Sequence, residues 1–210
     1  EKDAPLQVRF NLPGALYGRW AARWPQEKIA EFAKIMRGKP PFTFRLLKDI
    51  PENDLKEAGC RRISTEFATG PFRFFSTDNP EAVFRNKWLD DGKIYVQDPV
   101  AVLSPYMLHP SSGEIVADLC SAPGGKTLAL AELMGGGTLL ASDASFERHR
   151  RTFANFARTD FSSILFTVAM ADNPPLKPGS CDAVLLDVPC SNTGVGRHKP
   201  DALWRFSVQR

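Results

Sequence analysis

The sequence predicts an α/β protein in which a mostly parallel sheet follows a small α+β domain. From Gly92 onward, apolar strand-like runs alternate with amphipathic helical stretches, which is the pattern of repeated βα units. Before that point the chain lacks this rhythm and is rich in aromatic, proline and basic residues. We therefore predict an N-terminal domain over residues 1–92 and a parallel-sheet domain over residues 93–210.

The N-terminal elements are short and differ in type. Apolar residues recur at helical spacing from Pro25 to Met36, which predicts an amphipathic helix. Residues 42–46 alternate in polarity like a strand, and residues 51–59 form a helical stretch that ends at Gly59. These elements predict a small α+β unit.

The second half contains several apolar runs that end in polar or turn residues. The predicted strands cover residues 94–96, 115–120, 137–143, 164–168 and 183–187. Helices are predicted over residues 126–134 and 146–158. Strands and helices of these lengths are typical of a sheet with helices on both faces.

Composition limits the class of protein. The chain has 210 residues, of which 43% are hydrophobic and 24% charged, and this balance is typical of a folded globular protein. No apolar run approaches membrane-spanning length, and Pro13, Gly14 and Arg19 interrupt any signal-peptide pattern. We therefore expect a cytoplasmic location.

Cysteine spacing and charge give weaker indications. The four cysteines form no CxxC pair, so we expect reduced thiols, no metal site and no disulfide framework. Residues 1–92 contain 16 Lys/Arg against 13 Asp/Glu, whereas residues 93–210 contain 11 of each. This excess is compatible with a polyanionic partner, but an ordinary solvated surface would look the same.

A glycine-containing loop follows the strand predicted before Leu119. Residues 118–127 read DLCSAPGGKT, and the two glycines allow a ligand to approach the backbone at the start of a helix. A P-loop is excluded because Cys120 stands where that motif needs glycine, and GxGxxG is absent. The alternative is a tight turn that binds no ligand.

Acidic residues follow the next two strands. Asp143 ends its strand 17 residues after Lys126, where a carboxylate accepts hydrogen bonds from ribose hydroxyls. Alternatively, Asp143 or Ser145 caps the next helix. Asp172 follows the strand predicted at residues 164–168, where an adenine ring would be recognised, although aspartate is also a common turn residue.

A carboxylate and a thiol follow the last predicted strand. Asp187 and Cys190 stand in the sequence DVPC, at the strand end where an open α/β sheet binds ligands. Pro189 favours an extended conformation at Val188 and stiffens the turn that presents the thiol.

Taken together, these motifs resemble the Sun (RsmB-like) family of RNA cytosine-5 methyltransferases. The resemblance covers residues 94–210 well and extends to Val96-Gln97-Asp98, Arg197 to Asp201 and Trp204-Arg205. It is looser over residues 1–92, where Phe44-Arg45-Leu46 resembles part of the family's N-terminal RNA-binding region.

The resemblance implies a Rossmann-like class I methyltransferase fold and S-adenosylmethionine as cofactor. The loop residues implied to wrap its methionine end are Cys120, Ser121, Ala122, Pro123, Gly124, Gly125 and Lys126. Asp143 would hold the ribose, Asp172 would lie beside the adenine, and Asp187 would face the methyl donor and the target base. Ser121 departs from the family, which usually has alanine there.

The resemblance also assigns a role to the thiol of Cys190. Cytosine C5 accepts a methyl group only after a thiolate adds to C6. In the Sun family a second cysteine, in a downstream Ser-Thr-Cys segment, makes this attack, and the Pro-Cys thiol assists product release. No cysteine follows Cys190, and Cys181 precedes a strand at the opposite end of the sheet. We therefore expect this chain to be part of a longer protein and to be inactive alone.

The expected partner is structured RNA, most simply ribosomal. Arg197, Lys199 and Arg205 follow the thiol loop and are our candidate RNA contacts. The arginines of residues 148–158 are more simply a solvated helix face. Aromatic residues such as Trp20 and Trp24 could stack on bases, although most aromatics are core residues. Two alternatives are an RNA-binding protein that has lost its chemistry and a DNA cytosine-5 methyltransferase that uses Cys190.

Overall fold

The computed structural model describes residues 4–65, 70–161 and 163–206, which form two compact units. One unit comprises residues 1–40 together with residues 189–210, and the other comprises residues 41–188. This division differs from the predicted boundary at residue 92. The difference arises because the chain on both sides of residue 92 forms one sheet, as described below.

The elements agree with most sequence predictions to within one to three residues. The α-helices are α1 (Leu6–Arg9), α2 (Gly14–Ala21), α3 (Gln26–Arg37), α4 (Glu52–Glu57), α5 (Pro80–Arg85), α6 (Leu103–Leu108), α7 (Gly125–Met134), α8 (Phe146–Phe156) and α9 (Asp201–Trp204). The strands are β1 (Phe42–Leu46), β2 (Arg61–Arg62), β3 (Phe74–Thr77), β4 (Ile94–Val96), β5 (Ile115–Asp118), β6 (Thr138–Asp143), β7 (Ile164–Val168) and β8 (Ala183–Leu185). Short 3-10 helices cover Pro99–Val102 and Thr193–Val195.

The strands of residues 41–188 form two sheets. The first is antiparallel, with the order β2-β3-β1-β4, and in it Arg45 of β1 lies opposite Tyr95 of β4. The second is parallel, with the order β7-β6-β5-β8. The prediction of an α/β fold with a parallel sheet is therefore confirmed. The strand at residues 94–96, which we had grouped with the parallel sheet, instead belongs to the small one.

The parallel sheet is covered by a helix that is apolar on most sides. In α7 the buried residues are Thr127, Leu128, Ala129, Leu130 and Met134. Leu130 and Met134 pack with Val116, Leu139 and Leu185 of three neighbouring strands. Burial of one such side chain stabilises the fold by about 1.5–3 kcal/mol, so this contact fixes α7 on the sheet.

A buried cation joins the small sheet to α7. The side chain of Arg45 is fully buried and forms an ion pair with Glu132 of α7. Its Nε atom donates to Gln97 Oε1 at 2.8 Å, and its guanidinium carbon lies 5.0 Å from the ring centre of Phe72 and 5.7 Å from that of Tyr95. Burial raises the pKa of Glu132, an effect that the charge and hydrogen bond of Arg45 oppose. The ion pair is therefore costly to break from either side.

The other unit joins two distant parts of the chain. Leu12, Ile29 and Ala33 form a small buried cluster between the N-terminal helices. From the C-terminal segment, Arg197 donates from Nη2 to the carbonyl oxygen of Lys39 at 2.9 Å and from Nε to that of Gly38 at 3.4 Å. These bonds attach residues 189–206 to the backbone directly after α3.

Among the helices of the described residues, none is long and apolar enough to cross a membrane.

We predict that Arg45→Ala lowers the free energy of unfolding by about 3–5 kcal/mol, because it leaves the Glu132 carboxylate buried without its partner. Urea titration followed by circular dichroism measures this. The double variant Arg45→Met/Glu132→Leu should recover most of the loss. As a control, Arg150→Ala removes an exposed pair with Glu147 and should change stability by less than about 1 kcal/mol. Equal effects of the two arginine variants would contradict the role given to Arg45.

Candidate functional site

The predicted acidic residues lie at the carboxyl edge of the parallel sheet. Asp118 ends β5, Asp143 ends β6, and Asp187 follows the end of β8 by two residues. In the strand order β7-β6-β5-β8, strands β6 and β7 are added on one side of β5 and β8 is added on the other, so the order of the strands reverses between β5 and β8. Open α/β sheets bind ligands in the crevice beside such a reversal. The topology thus makes this edge the candidate ligand site.

The glycine-containing loop connects β5 to α7 at this edge. Ser121 N donates to Ser142 O at 2.9 Å, and Gly124 N donates to Ser121 O at 2.7 Å. Gly124 is the N-cap residue of α7, and the described residues provide no side-chain cap for that helix. The first amides of α7 are therefore available to an anionic group such as a carboxylate.

Gly124 occupies a position that only glycine fits well. Its φ angle of +102° lies in the left-handed region that side chains disfavour. A Cβ atom there would lie 2.9 Å from Thr152 Cγ2 and 3.0 Å from Phe156 Cε2 of α8. The loop therefore packs directly on α8, and the glycine allows that contact.

Two polar side chains hold the loop from the side of the small sheet and α8. Asn155 Nδ2 donates to Pro123 O at 2.9 Å and to Tyr95 Oη at 3.2 Å. Tyr95 Oη also donates to Pro123 O at 3.4 Å. Burial raises the pKa of Tyr95, so its hydroxyl stays protonated and able to donate. Position 123 is thus fixed by both the small sheet and α8.

Asp118 supports the loop from inside the protein. It is 1% exposed and accepts hydrogen bonds from Thr127 Oγ1 at 2.7 Å and from Cys120 N at 3.3 Å. Burial raises the pKa of this carboxyl to about 6, and the Thr127 hydrogen bond opposes the shift. Asp118 is not among the predicted site residues. The aspartate at the strand end, nine residues before a threonine in the next helix, was the available signal.

Asp143 is also buried and engaged with the protein. It is 2% exposed, accepts hydrogen bonds from Ala122 N at 3.2 Å and Ser145 N at 3.0 Å, and pairs with Arg148 at 3.2 Å. Ser145 is the N-cap of α8, and its hydroxyl accepts from Arg148 N at 3.3 Å. Of the two predicted caps, the helix therefore uses Ser145, while Asp143 braces the loop. Its ribose contact stays a prediction.

The other predicted carboxylates are more exposed. Asp187 is about half exposed and forms an ion pair with Lys126 in the first turn of α7. This pair spans the crevice beside β5 and β8, so the loop and the segment after β8 are joined by opposite charges. Asp172 lies in an exposed turn after β7, and its predicted adenine contact remains open.

The thiol and the candidate RNA contacts lie in the unit formed by residues 1–40 and 189–210. Cys190 is exposed, and its sulfur accepts from Asn192 N at 3.4 Å. Cys190, Lys199 and Arg205 line a groove of about 1270 Å³, which we call the Cys190 groove. Arg197 instead bonds the backbone of residues 38 and 39. Of the three predicted RNA contacts, two thus face the groove and one has a structural role.

Cys181 lies away from the carboxyl edge of the parallel sheet. Cys181 precedes Asp182, whose amide donates to Ile115 O at 2.8 Å at the start of β5. Cys181 therefore lies at the amino end of the strands, opposite to the candidate site, as predicted. In the part of the chain that the structure describes, no group of three or more His, Cys, Asp or Glu residues could hold a metal ion.

Comparisons with known proteins place this geometry in context. A model of the family described as 16S rRNA methyltransferase RsmB/F matches residues 105–209. Ribosomal RNA small subunit methyltransferase B of Salmonella dublin is 37% identical over an alignment of 210 positions, which covers 96% of this chain and 47% of that protein. The same-named protein of Shigella flexneri serotype 5b is 31% identical over an alignment of 206 positions, which covers 94% of this chain and 46% of that protein. The chain thus spans about half the length of these relatives.

Solved structures support the same fold. The crystal structure of PH0851 has a TM-score of 0.84 at 27% identity and covers 97% of this chain and 47% of that chain. A methyltransferase homolog protein from Pyrococcus horikoshii has a TM-score of 0.72 at 26% identity and covers 93% of this chain and 65% of its own. The predicted Rossmann-like class I fold is confirmed by these neighbours.

The buried Asp118 carboxyl predicts a pH-dependent contribution to stability. Its folded-state pKa of about 6 lies above the ordinary value of 3.8, so the folded protein binds the proton more tightly. The contribution is fully present below pH 4 and is lost as the pH rises through 6, by on the order of 3 kcal/mol. Urea unfolding from pH 4 to pH 7 should show wild type losing stability relative to Asp118→Asn. A pH-independent difference between the two proteins would contradict this.

The contact between the loop and α8 predicts different effects at two glycines. Gly135→Ala should cost about 1–2 kcal/mol, because its φ is +61° and no atom lies within 4 Å of the added Cβ. Gly124→Ala should cost a further 1–3 kcal/mol, because it also crowds Thr152 and Phe156. Thermal or urea unfolding of both variants measures this difference. Equal losses would show that the loop does not need to approach α8 closely.

Proposed function

Because this chain belongs to the RsmB/F family of 16S rRNA methyltransferases, we propose that it is part of an S-adenosylmethionine-dependent enzyme that methylates C5 of a cytosine in ribosomal RNA. The observation that carries the proposal is the convergence of the loop, Lys126 and Asp187 beside β5 and β8. The names of the relatives, which are ribosomal RNA methyltransferases, support the substrate class. A ribosomal substrate also supports the expected cytoplasmic location.

The residues at the sheet edge fit the proposed cofactor. The amino end of α7 receives no side-chain cap from the described part of the chain, so its amides suit the methionine carboxylate. The loop from Cys120 to Lys126 would surround that end of the molecule. Asp143 and Asp172 would serve the ribose and the adenine, as the family resemblance implies. When bound, the cofactor supplies the activated methyl group.

The contacts of Asp143 limit how a ribose could bind to it. Its oxygens already accept two backbone amides and pair with Arg148. The two amides belong to the loop backbone and to the start of α8, so they keep their places beside Asp143. Ribose hydroxyls can therefore reach this carboxylate only if the half-exposed Arg148 side chain moves aside. Arg148 thus occupies, in our proposal, the place that the ribose takes.

The ion pair of Lys126 with Asp187 would orient the carboxylate that faces the methyl donor and the base. Asp187 is the acidic member of this edge that is both half-exposed and held by a cation. Because the ion pair already holds the Asp187 carboxylate in one direction, the protein need not rearrange it during the reaction. We assign Asp187 to positioning the target base at the crevice.

Cys190 would act on the cytosine after methyl transfer. Its thiol is exposed, and Lys199 and Arg205 line the same groove. Following the family resemblance, this thiol assists release of the methylated base, and a second cysteine forms the bond to C6. The base must be unpaired or flipped to reach it.

Isothermal titration calorimetry with S-adenosylhomocysteine tests the cofactor assignment. The folded 210-residue chain should bind one equivalent. Asp172→Asn should weaken binding about 10-fold or more if its carboxylate accepts a hydrogen bond from the adenine amino group. The matched control Asp160→Asn changes an exposed carboxylate that pairs with Lys48 and should leave affinity unchanged. Absence of binding to folded wild-type protein would reject the proposal.

A further inference from the structure

The Cys190 groove contains a second set of residues that the methyl-transfer chemistry does not use. Helix α2 and the turn after it contribute Arg19, Trp20, Arg23 and Trp24 to its lining. We infer that this part of the groove binds the single-stranded RNA that flanks the target cytosine, with the tryptophans stacking on bases and the arginines contacting phosphates. The inference rests on the proposed function, because it takes RNA as the substrate.

The spacing of these residues aligns them on one helix face. Leu16, Arg19, Trp20, Arg23 and Trp24 follow the i, i+3, i+4, i+7, i+8 pattern. Helix α2 ends at Ala21, but the amides of Arg23 and Trp24 both donate to Trp20 O, at 2.9 and 2.8 Å, and so continue the turn. All five residues line the Cys190 groove.

A face with this pattern normally packs into a core, and here only Leu16 and part of the half-buried Trp20 do so. Leu16 is 1% exposed, whereas Trp24 is 44% exposed and both arginines are exposed. Trp20 and Trp24 contact Phe32 through edge-on arrangements with ring centres 6.2 and 5.7 Å apart. The contacts with Phe32 orient both indoles, and the exposed part of Trp24 is the area available for stacking.

The charge of the groove favours a polyanion. Arg19, Arg23, Lys199 and Arg205 line it, against one acidic residue, Asp201. Within residues 4–65, 70–161 and 163–206, none of these four cations takes part in an ion pair. Cations left unpaired around aromatic rings are the combination that single-stranded nucleic acid binders use.

The size of the groove favours a chain over a small molecule. Its volume of about 1270 Å³ exceeds the ~300–1,000 Å³ usual for a small-molecule site. Since Cys190 lies in the same groove, a strand bound along α2 would lead toward the thiol. Helix α2 would therefore contribute to the choice of which nucleotides can enter beside the target base.

Fluorescence anisotropy with a labelled 12-nucleotide single-stranded RNA, with cytosine at its centre, tests the inference. Trp24→Ala should weaken binding roughly 5- to 100-fold, the range for loss of one stacked base. Trp24→Phe should retain most of the affinity, because the phenyl ring still stacks. Arg23→Gln and Arg19→Gln should each reduce the slope of log affinity against log salt by about 0.7, the value for one phosphate contact on a single strand.

Two control variants outside the groove and a measurement of cofactor binding separate a loss of RNA contacts from a loss of folding. Trp204→Ala removes a more exposed tryptophan that does not line the groove, and Arg85→Gln removes an exposed arginine of α5. Both should change RNA affinity less than twofold. Calorimetry with S-adenosylhomocysteine should give the wild-type value for every groove variant, which shows that residues 41–188 are folded, and an unchanged far-ultraviolet circular dichroism spectrum shows that the helices of the other unit are retained.

The inference would be overturned if the groove variants bound RNA as wild type does, or if folded, cofactor-binding wild type bound no RNA. Equally tight binding of an acidic peptide, lost in the same variants, would assign the groove to a protein partner instead. In each case binding of S-adenosylhomocysteine would leave the proposed function standing. Failure of the proposed function itself would appear separately, as loss of that binding.

Discussion

The buried guanidinium of Arg45 connects the small antiparallel sheet of residues 41–188 to α7, the helix that covers the parallel sheet. It leaves the small antiparallel sheet at β1 and meets Glu132 on α7, the helix that begins at the glycine-containing loop. Tyr95, opposite Arg45 in the small sheet, contacts Pro123 in the loop itself. The small sheet therefore holds both the helix and the loop. A site built this way depends on an element that contributes no residue to the chemistry.

The acidic residues at the sheet edge divide into two kinds. Asp118 and Asp143 are nearly inaccessible, and each accepts hydrogen bonds from loop backbone, so they shape the loop from below. Asp187 and Asp172 are exposed and can meet a ligand directly. A strand-end aspartate in the sequence does not reveal which kind it is. Burial decides this, and burial depends on how the following helices pack.

Sequence patterns predicted the parallel sheet well because each βα unit carries its own periodicity. Helices α7 and α8 and strand β7 lie within two residues of their predicted bounds. Strand β4 was assigned to the wrong sheet, since three apolar residues contain no information about their partner strand. The pairing of residues 189–206 with the N-terminal helices was also not predicted, because it joins segments far apart in the chain. The helical spacing of Leu16 to Trp24 is visible in the sequence. That these residues line a groove is not, because the other side of the groove is formed by residues 189–206.

The division of the chain has a consequence for the order in which the protein is assembled. One unit is continuous, from residue 41 to residue 188, so all of its contacts can form as soon as that stretch has left the ribosome. The other unit needs residues from both sides of it, and the bonds from Arg197 to Gly38 and Lys39 cannot exist until the later segment has been synthesised. During translation the four described strands of the parallel sheet can therefore pair before the Cys190 groove forms. A nascent chain can in this way form the carboxyl edge of the parallel sheet before the groove around Cys190 exists.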